Sequence, residues 1–254
     1  MTPTEAALGY LKKGWRSVPI ARVCQTCRHQ HATLQCTWRH GKPDACTCKQ
    51  RYERSQGIVT KGPTTPDWQH RFLSESAILT AFHPSDSIGL LLGEPSGWLV
   101  DVDLDSSEAI TLAPEILPKT GLEGGRAGKP YSHYWYVCLG ASTRKFQYQA
   151  ERGAATILEI RSTGCQTVVP PSEHVTGGTY MWHAEGTPAT VEKEALILAS
   201  ARLTLASLLA RYWPGLGARH DAALPIAGLL AHAGWKEEDA ARLGLRNELE
   251  VVYV

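Results

Sequence analysis

Nine residues, Gly97-Trp-Leu-Val-Asp-Val-Asp-Leu-Asp105, constrain this 254-residue chain more than any other stretch. Successive side chains of a β-strand point to opposite faces. Asp101, Asp103 and Asp105 therefore fall on one face and Val100, Val102 and Leu104 on the other. The apolar face has to be covered by a core. The acidic face needs a counter-charge, because neighbouring carboxylates repel one another. A hard divalent cation such as Mg²⁺ takes carboxylate oxygens together with substrate phosphates and supplies that charge. For Asp105, and less so for Asp103, the competing reading is a turn or a helix cap at Ser106. A second acid, Glu159, lies in Thr156-Ile-Leu-Glu-Ile-Arg161, where a charge among aliphatic side chains is costly unless it is paired or metal-bound. Alone it would pair with Arg161 or with a lysine of a neighbouring strand; beside an Asp-x-Asp strand it is a candidate third metal ligand.

The remaining pattern is that of a mixed α/β (α+β) chain with a largely antiparallel sheet core. Helical spacing covers Glu5 to Lys13, Ser74 to His83 (with Ser74 as N-cap) and Ser106 to Ala113. Short β-branched and aromatic runs cover Trp15 to Ile20, Ile88 to Leu92, Trp98 to Asp103, His133 to Leu139, Thr156 to Arg161 and Thr167 to Val169. Beyond His183 the spacing turns helical, over Val191 to Arg211, Ala218 to Ala233 and Lys236 to Leu243, with Pro225 expected to end or kink the second run. Two domains are expected, 1–187 and a small helical one over 188–254. Leu249 to Val254 reads as a strand cut short, so the second domain is expected to be truncated. Apolar runs such as Ile88 to Leu92 are too short to cross a bilayer, and the N-terminus lacks a basic-then-apolar leader. A cytoplasmic globular protein without a membrane segment is expected.

Formal net charge is only +1, yet Lys12 to Arg71 holds twelve Lys and Arg against three acids, Asp44, Glu53 and Asp67. Clustered cations of this kind suit contact with a polyanion. Within this stretch, about residues 22–55, lie Cys24-x-x-Cys27, Cys36, His40 and Cys46-x-Cys48. A cytosolic chain has little use for disulfides, and thiolates at these spacings suit tetrahedral Zn²⁺. The favoured ligands are Cys24, Cys27, Cys46 and Cys48, with Cys36 or His40 as substitutes. Trp38, Tyr52 and Trp68 are candidates for base stacking, and equally for core packing. Cys138 and Cys165 fall in strand-like runs and read as ordinary core residues.

Between the acidic runs lies Gly124-Gly-Arg-Ala-Gly-Lys-Pro-Tyr-Ser-His-Tyr-Trp-Tyr136. It reads as a Gly-rich loop (Gly124, Gly125, Gly128) that permits close backbone approach, with Arg126, Lys129 and His133 as cationic donors suited to a triphosphate. The order Gly14-Trp-x-x-x-Pro19, Ile88-Gly-Leu-Leu-Leu-Gly93, Asp101-Val-Asp103, Ser132-His133, Leu158-Glu-Ile-Arg161 and Val168-Val-Pro-Pro-Ser-x-His-x-x-Gly-x-x-Tyr-x-Trp182 resembles the bifunctional primase-polymerase domain of the archaeo-eukaryotic primase superfamily, common in plasmid and phage replication proteins. The resemblance runs from about Glu5 to His183, and Gly217 to Glu238 is similar to the helical segment that often follows such domains. It implies that Asp101, Asp103 and Glu159 hold two Mg²⁺ or Mn²⁺ ions and that His133 contacts the incoming nucleotide. Ser132 directly precedes His133, whereas the family's second motif is written Ser-x-His. Ser172 and His174 are further candidates for lining the nucleotide site. Related domains often carry a zinc element near the cysteine run, though with other spacing.

The expected activity is DNA-templated primer synthesis de novo with extension by NTPs or dNTPs. Its partners are a single-stranded DNA template, the nucleotides and a replicative helicase domain or protein. Arg126, Lys129, His133 and Arg161 would neutralise phosphate charge. Two other classes remain open: a metal-dependent nuclease, for which Arg161 stands where a catalytic lysine is expected, and a non-catalytic zinc-dependent DNA-binding module, which predicts a broken acidic set.

Overall fold

The structure, a computed structural model, describes residues 1–20, 63, 66–82, 84, 86–174, 178–213, 219–232 and 234–236. The chain opens with α1 (Pro3–Lys12) and β1 (Ser17–Ile20), and resumes with α2 (Glu75–Ala81), β2 (Ser87–Leu91), β3 (Leu99–Leu104) and α3 (Ser107–Ile116). The strands β4 (Leu122–Arg126), β5 (Lys129–Val137), β6 (Arg144–Ala150), β7 (Gly153–Arg161), β8 (Gln166–Val169), β9 (Tyr180–Glu185) and β10 (Ala189–Thr190) follow, then α4 (Lys193–Tyr212) and α5 (Arg219–His232). Helix starts are locally encoded. Thr2 and Glu5 form a capping box on α1, while the Ser74 and Ser106 hydroxyls accept the Ala77 and Ala109 amides at the starts of α2 and α3.

Among the described residues two sheets form, a mixed α+β arrangement with large antiparallel sheets. One is three-stranded in the order β1-β2-β8; the other runs β6-β7-β3-β5-β4-β9, with β10 added in parallel along the end of β5. The apolar face anticipated for β3 is fully buried. Val100, Val102 and Leu104 pack with Tyr134, Tyr136, Leu158 and Ile160 of the flanking strands and with Ala109 and Ala113 of α3. Burial of each such aliphatic side chain stabilises the fold by about 1.5–3 kcal/mol. Leu196 and Leu203 of α4 complete the same cluster, so the first helix beyond residue 188 is part of the sheet's own core. By length and composition alone α4 could cross a membrane, but Leu196, Ser200, Leu203, Ala206 and Ser207 form a buried stripe along it. This core takes up part of its apolar surface, while Leu198 stays exposed.

The other face of the large sheet is covered in part. Trp135 and Leu99 join Ile88 and Leu90 of β2, Val169 of β8 and Ala6, Ala7 and Tyr10 of α1 in a second cluster. Asp101 lies beneath that cover, and where it stops Asp103 becomes partly exposed. A third cluster, Ala223, Ala227 and Leu230 of α5 with Leu205, Trp213 and Trp235, lies further along.

Several sequence expectations are corrected. The Gly-rich segment is no loop: Gly124, Gly125 and Arg126 belong to β4, Lys129 opens β5, and only Ala127 and Gly128 turn between them. Glycine is a poor strand former, but a Cβ on Gly124 would sit 3.1 Å from the Trp182 ring and one on Gly125 would sit 2.6 Å from the Lys129 carbonyl. The crowding of neighbours is what keeps these positions bare. Strands β6 and β9 escaped the sequence reading, because polar alternation on an edge strand and a mixed Tyr-Met-Trp-His run carry weak signals. Of the two outcomes expected at Pro225, an end or a kink, the end does not occur: α5 runs through it, the packing of Ala223, Ala227 and Leu230 offsetting a cost of about 3 kcal/mol. Cys138 is core, as expected, whereas Cys165 lies in the turn ahead of β8 rather than in a strand.

Candidate active site

Strand register assembles the site. In antiparallel pairs, residues directly opposite one another share a face. Asp103 is opposite His133 of β5 and Glu159 of β7; Asp101 is opposite Trp135 and Arg161; Glu159 in turn faces Lys145 of β6. Four strands therefore put His133, Asp103, Glu159 and Lys145 in one row and Trp135, Asp101 and Arg161 in the next. Asp105, beyond the end of β3, is exposed and pairs with Lys129 Nζ at 3.3 Å, so only two of the three alternating aspartates stand on the strand.

Asp101 is wholly buried, whereas Asp103 keeps part of its side chain in solvent. His133 Nδ1 lies 3.1 and 3.0 Å from the two Asp101 oxygens and 3.7 Å from Asp103 Oδ1. A carboxylate only accepts, so Nδ1 carries a proton and donates it. Burial opposes the imidazolium, but the Asp101 and Asp103 charges outweigh it and raise the His133 pKa above its ordinary value. Arg161 pays the same desolvation penalty and is likewise held above the usual arginine range by Asp101, Asp103 and Glu159. Its Nη1 is 3.7 Å from Asp103 Oδ2 and its Nε 3.7 Å from Glu159 Oε2. Burial raises the Glu159 pKa, against the lowering pull of Arg161 and Lys145.

Asp101, Asp103 and His133 offer ligand atoms all within 4.8 Å of one another. The two carboxylates of β3, with the imidazole of β5 beside them, suit an oxygen-preferring divalent cation, whose binding would displace the Nδ1 proton or leave the imidazole outside the ligand set. Glu159 is outside that group, one strand away on the far side of Asp103 and beside Arg161. A cleft next to His133 is lined by Gly124, Gly125, Trp135, Tyr180 and Trp182. The aromatic rings form its apolar walls, with Trp182 packed directly on Gly124.

The other candidates are placed as follows. Lys129 is engaged with Asp105, and Arg126 lies on β4 opposite Tyr180, at the margin of the cleft. Ser132 is buried and its hydroxyl donates to the Lys129 carbonyl, closing the bulge where β5 departs from β4. Tyr131, at φ +50° in that bulge, stacks on His183 with ring centroids 4.2 Å apart. The Ser172 hydroxyl accepts the Ile88 amide at 2.8 Å inside the three-stranded sheet, a backbone contact rather than one aimed at the cleft. His174 lies edge-on to Tyr180, centroids 6.0 Å apart. Cys24, Cys27, Cys36, His40, Cys46 and Cys48, with most of the basic stretch, lie outside the described residues. Thr167 had drawn no attention in the sequence; its hydroxyl donates to Asp101 Oδ2 at 2.7 Å and accepts from Arg161 Nη1 at 3.0 Å. Nothing local marks it, since the contact joins two sheets.

No curated protein matches the chain. A family model described as the N-terminal domain of bifunctional DNA primase/polymerases (Prim-Pol) matches residues 7–193, a span that takes in every strand of both sheets and all members of the site. The chain accordingly belongs to the Prim-Pol family, whose coarse chemistry is nucleotidyl transfer with nucleotides on a DNA template.

Proposed function

We propose that the protein synthesises primers de novo on single-stranded DNA and extends them with NTPs or dNTPs, in the replication of a plasmid, phage or other mobile element. The observation that carries this reading is the convergence of Asp101, Asp103 and His133 within 4.8 Å on one sheet face. Asp101 and Asp103 would hold Mg²⁺ or Mn²⁺, with Glu159 across the strand from Asp103 as the third carboxylate of a two-metal set. Such ions supply charge for the triphosphate and lower the pKa of an attacking hydroxyl.

The chain's own residues do the positioning. With Nδ1 committed to Asp101, His133 has Nε2 left to meet an incoming phosphate. Arg161 balances the clustered carboxylates and, with Arg126 and Lys129, can neutralise phosphate charge as it develops. Catalysis of this kind is mostly positioning and electrostatics, so no nucleophile is required of the protein. The same reading keeps a structural Zn²⁺ on Cys24, Cys27, Cys46 and Cys48, from their spacing, and gives the basic stretch a template strand to grip. A helicase domain or protein is the expected companion.

The test is a primer-synthesis assay on single-stranded DNA with labelled NTPs or dNTPs under Mg²⁺ or Mn²⁺. Product from the parent that vanishes in Asp103→Asn, with DNA binding retained, is the expected result. Absence of product under either metal, with DNA binding intact, would sink the assignment in favour of a binding module.

A further inference from the structure

The most enclosed charge of the site is held from a different sheet than the one that carries it. Thr167 stands on β8, whose register is set by β2 through the pairing of Thr167 with Leu90. Thr167 is 2% exposed and Asp101 0%. The three-centre arrangement has one chemically allowed direction. A guanidinium only donates and a carboxylate only accepts, so the hydroxyl takes Arg161 Nη1–H at 3.0 Å and gives its single proton to Asp101 Oδ2 at 2.7 Å. Oδ2 is then engaged by Thr167 and His133 together. Oδ1 has His133, at 3.1 Å, as its one hydrogen-bond partner among the described residues.

We propose that Thr167 is a positioning residue for the acid pair: it fixes the rotation of the Asp101 carboxylate by holding Oδ2, so that the carboxylate stays set beside Asp103 for a divalent cation, and it anchors Arg161 at the same time. This rests on the reading of Asp101 and Asp103 as cation ligands. Outer partners of metal-ligating carboxylates and imidazoles act in this way, and their loss typically weakens metal binding by about 10–100-fold. A buried threonine that merely satisfied its own hydroxyl would affect stability alone.

The experiment titrates Mn²⁺ into the full chain and follows free Mn²⁺ by its paramagnetic resonance signal. Thr167→Val keeps the shape and removes the hydroxyl; Thr167→Ser keeps the hydroxyl and removes a methyl. We expect Thr167→Val to weaken Mn²⁺ binding about 10-fold and Thr167→Ser to stay within about threefold of the parent. In primer extension the Thr167→Val deficit should recover as Mn²⁺ is raised, with little change in the maximal rate. Thr167→Ala carries the same expectation and serves if the valine variant does not fold. Mn²⁺ affinity equal to the parent's in folded Thr167→Val or Thr167→Ala would overturn the proposal while leaving the cation site standing. Parent binding that survives Asp103→Asn would instead overturn the cation reading, and the role of Thr167 with it.

Discussion

Asp101 and Asp103 are two residues apart on one strand, yet their neutralisation should have very different consequences for folding. The Asp101 carboxylate is fully buried and meets the Thr167 hydroxyl at 2.7 Å and His133 Nδ1 at 3.0 and 3.1 Å, with the Arg161 charge behind them. Asp103 is partly exposed, and its closest cationic atoms, His133 Nδ1 and Arg161 Nη1, are both 3.7 Å away. Removing one partner of a buried ionic network costs about 3–5 kcal/mol because the remaining charges stay desolvated. Relief of repulsion between neighbouring carboxylates returns part of this, so Asp101→Asn should destabilise the fold by about 3 kcal/mol. Asp103→Asn breaks a half-solvated pairing and also relieves repulsion, for a net change within about 1 kcal/mol. Urea unfolding followed by tryptophan fluorescence reads the difference: at a slope near 3 kcal/mol/M, the Asp101→Asn midpoint should fall by about 1 M. Midpoints that coincide, or a larger fall for Asp103→Asn, would refute the asymmetric burial on which the argument rests. Asp103→Asn is for this reason the cleaner probe of chemistry.

Gly125→Ala places a methyl 2.6 Å from the Lys129 carbonyl oxygen and 2.8 Å from the Tyr131 amide, both backbone; a loss of about 2 kcal/mol is expected from overpacking, read as a lower melting temperature. Gly128→Ala meets only the mobile end of Arg126 and should melt within about 0.5 kcal/mol of the parent. Arg211 clasps Glu108 through two hydrogen bonds of 2.9 and 2.6 Å, joining α4 to α3. The hydrogen bonds from Arg211 hold the Glu108 pKa down at about 2, from an ordinary 4.5. A depressed acid contributes its stability above its unfolded pKa and loses it as the pH falls. The advantage of the parent over Glu108→Gln, about 1 kcal/mol or less for so solvated a pair, should be full at pH 6 and shrink as the pH falls from 4.5 towards 2. Thermal melts across that range check it, and an advantage that grows on acidification would contradict the assigned ion pair.

Much of the molecule was legible locally. The helix cap at Ser74, the alternation through Asp101 and Asp103, and the ordered run of motifs are all contained in short segments, because capping and strand alternation depend only on near neighbours; at the third helix the cap is Ser106, one residue beyond the expected Asp105. The strand reading of β4 failed for the opposite reason. Gly124 and Gly125 are chosen by Trp182 and by the Lys129 to Tyr131 backbone, groups that the local sequence does not reveal as neighbours. The extent of the core failed in the same way, for the helical spacing of α4 is plain, but that Leu196 and Leu203 close the β3 core is a fact of docking.

By itself, then, the sequence determined that this chain carries an acidic strand face needing a counter-charge and that its motifs run in the order of a primase-polymerase domain. Only the tertiary structure decided which groups surround the acids. Register between β3, β5 and β7 brought His133 to Asp101 and Asp103 and set Glu159 beside Arg161, and the approach of a second sheet delivered Thr167 to Asp101. Both are non-local: a strand's own sequence states which way its side chains face, while the partner opposite each one depends on pairings and packing made far along the chain.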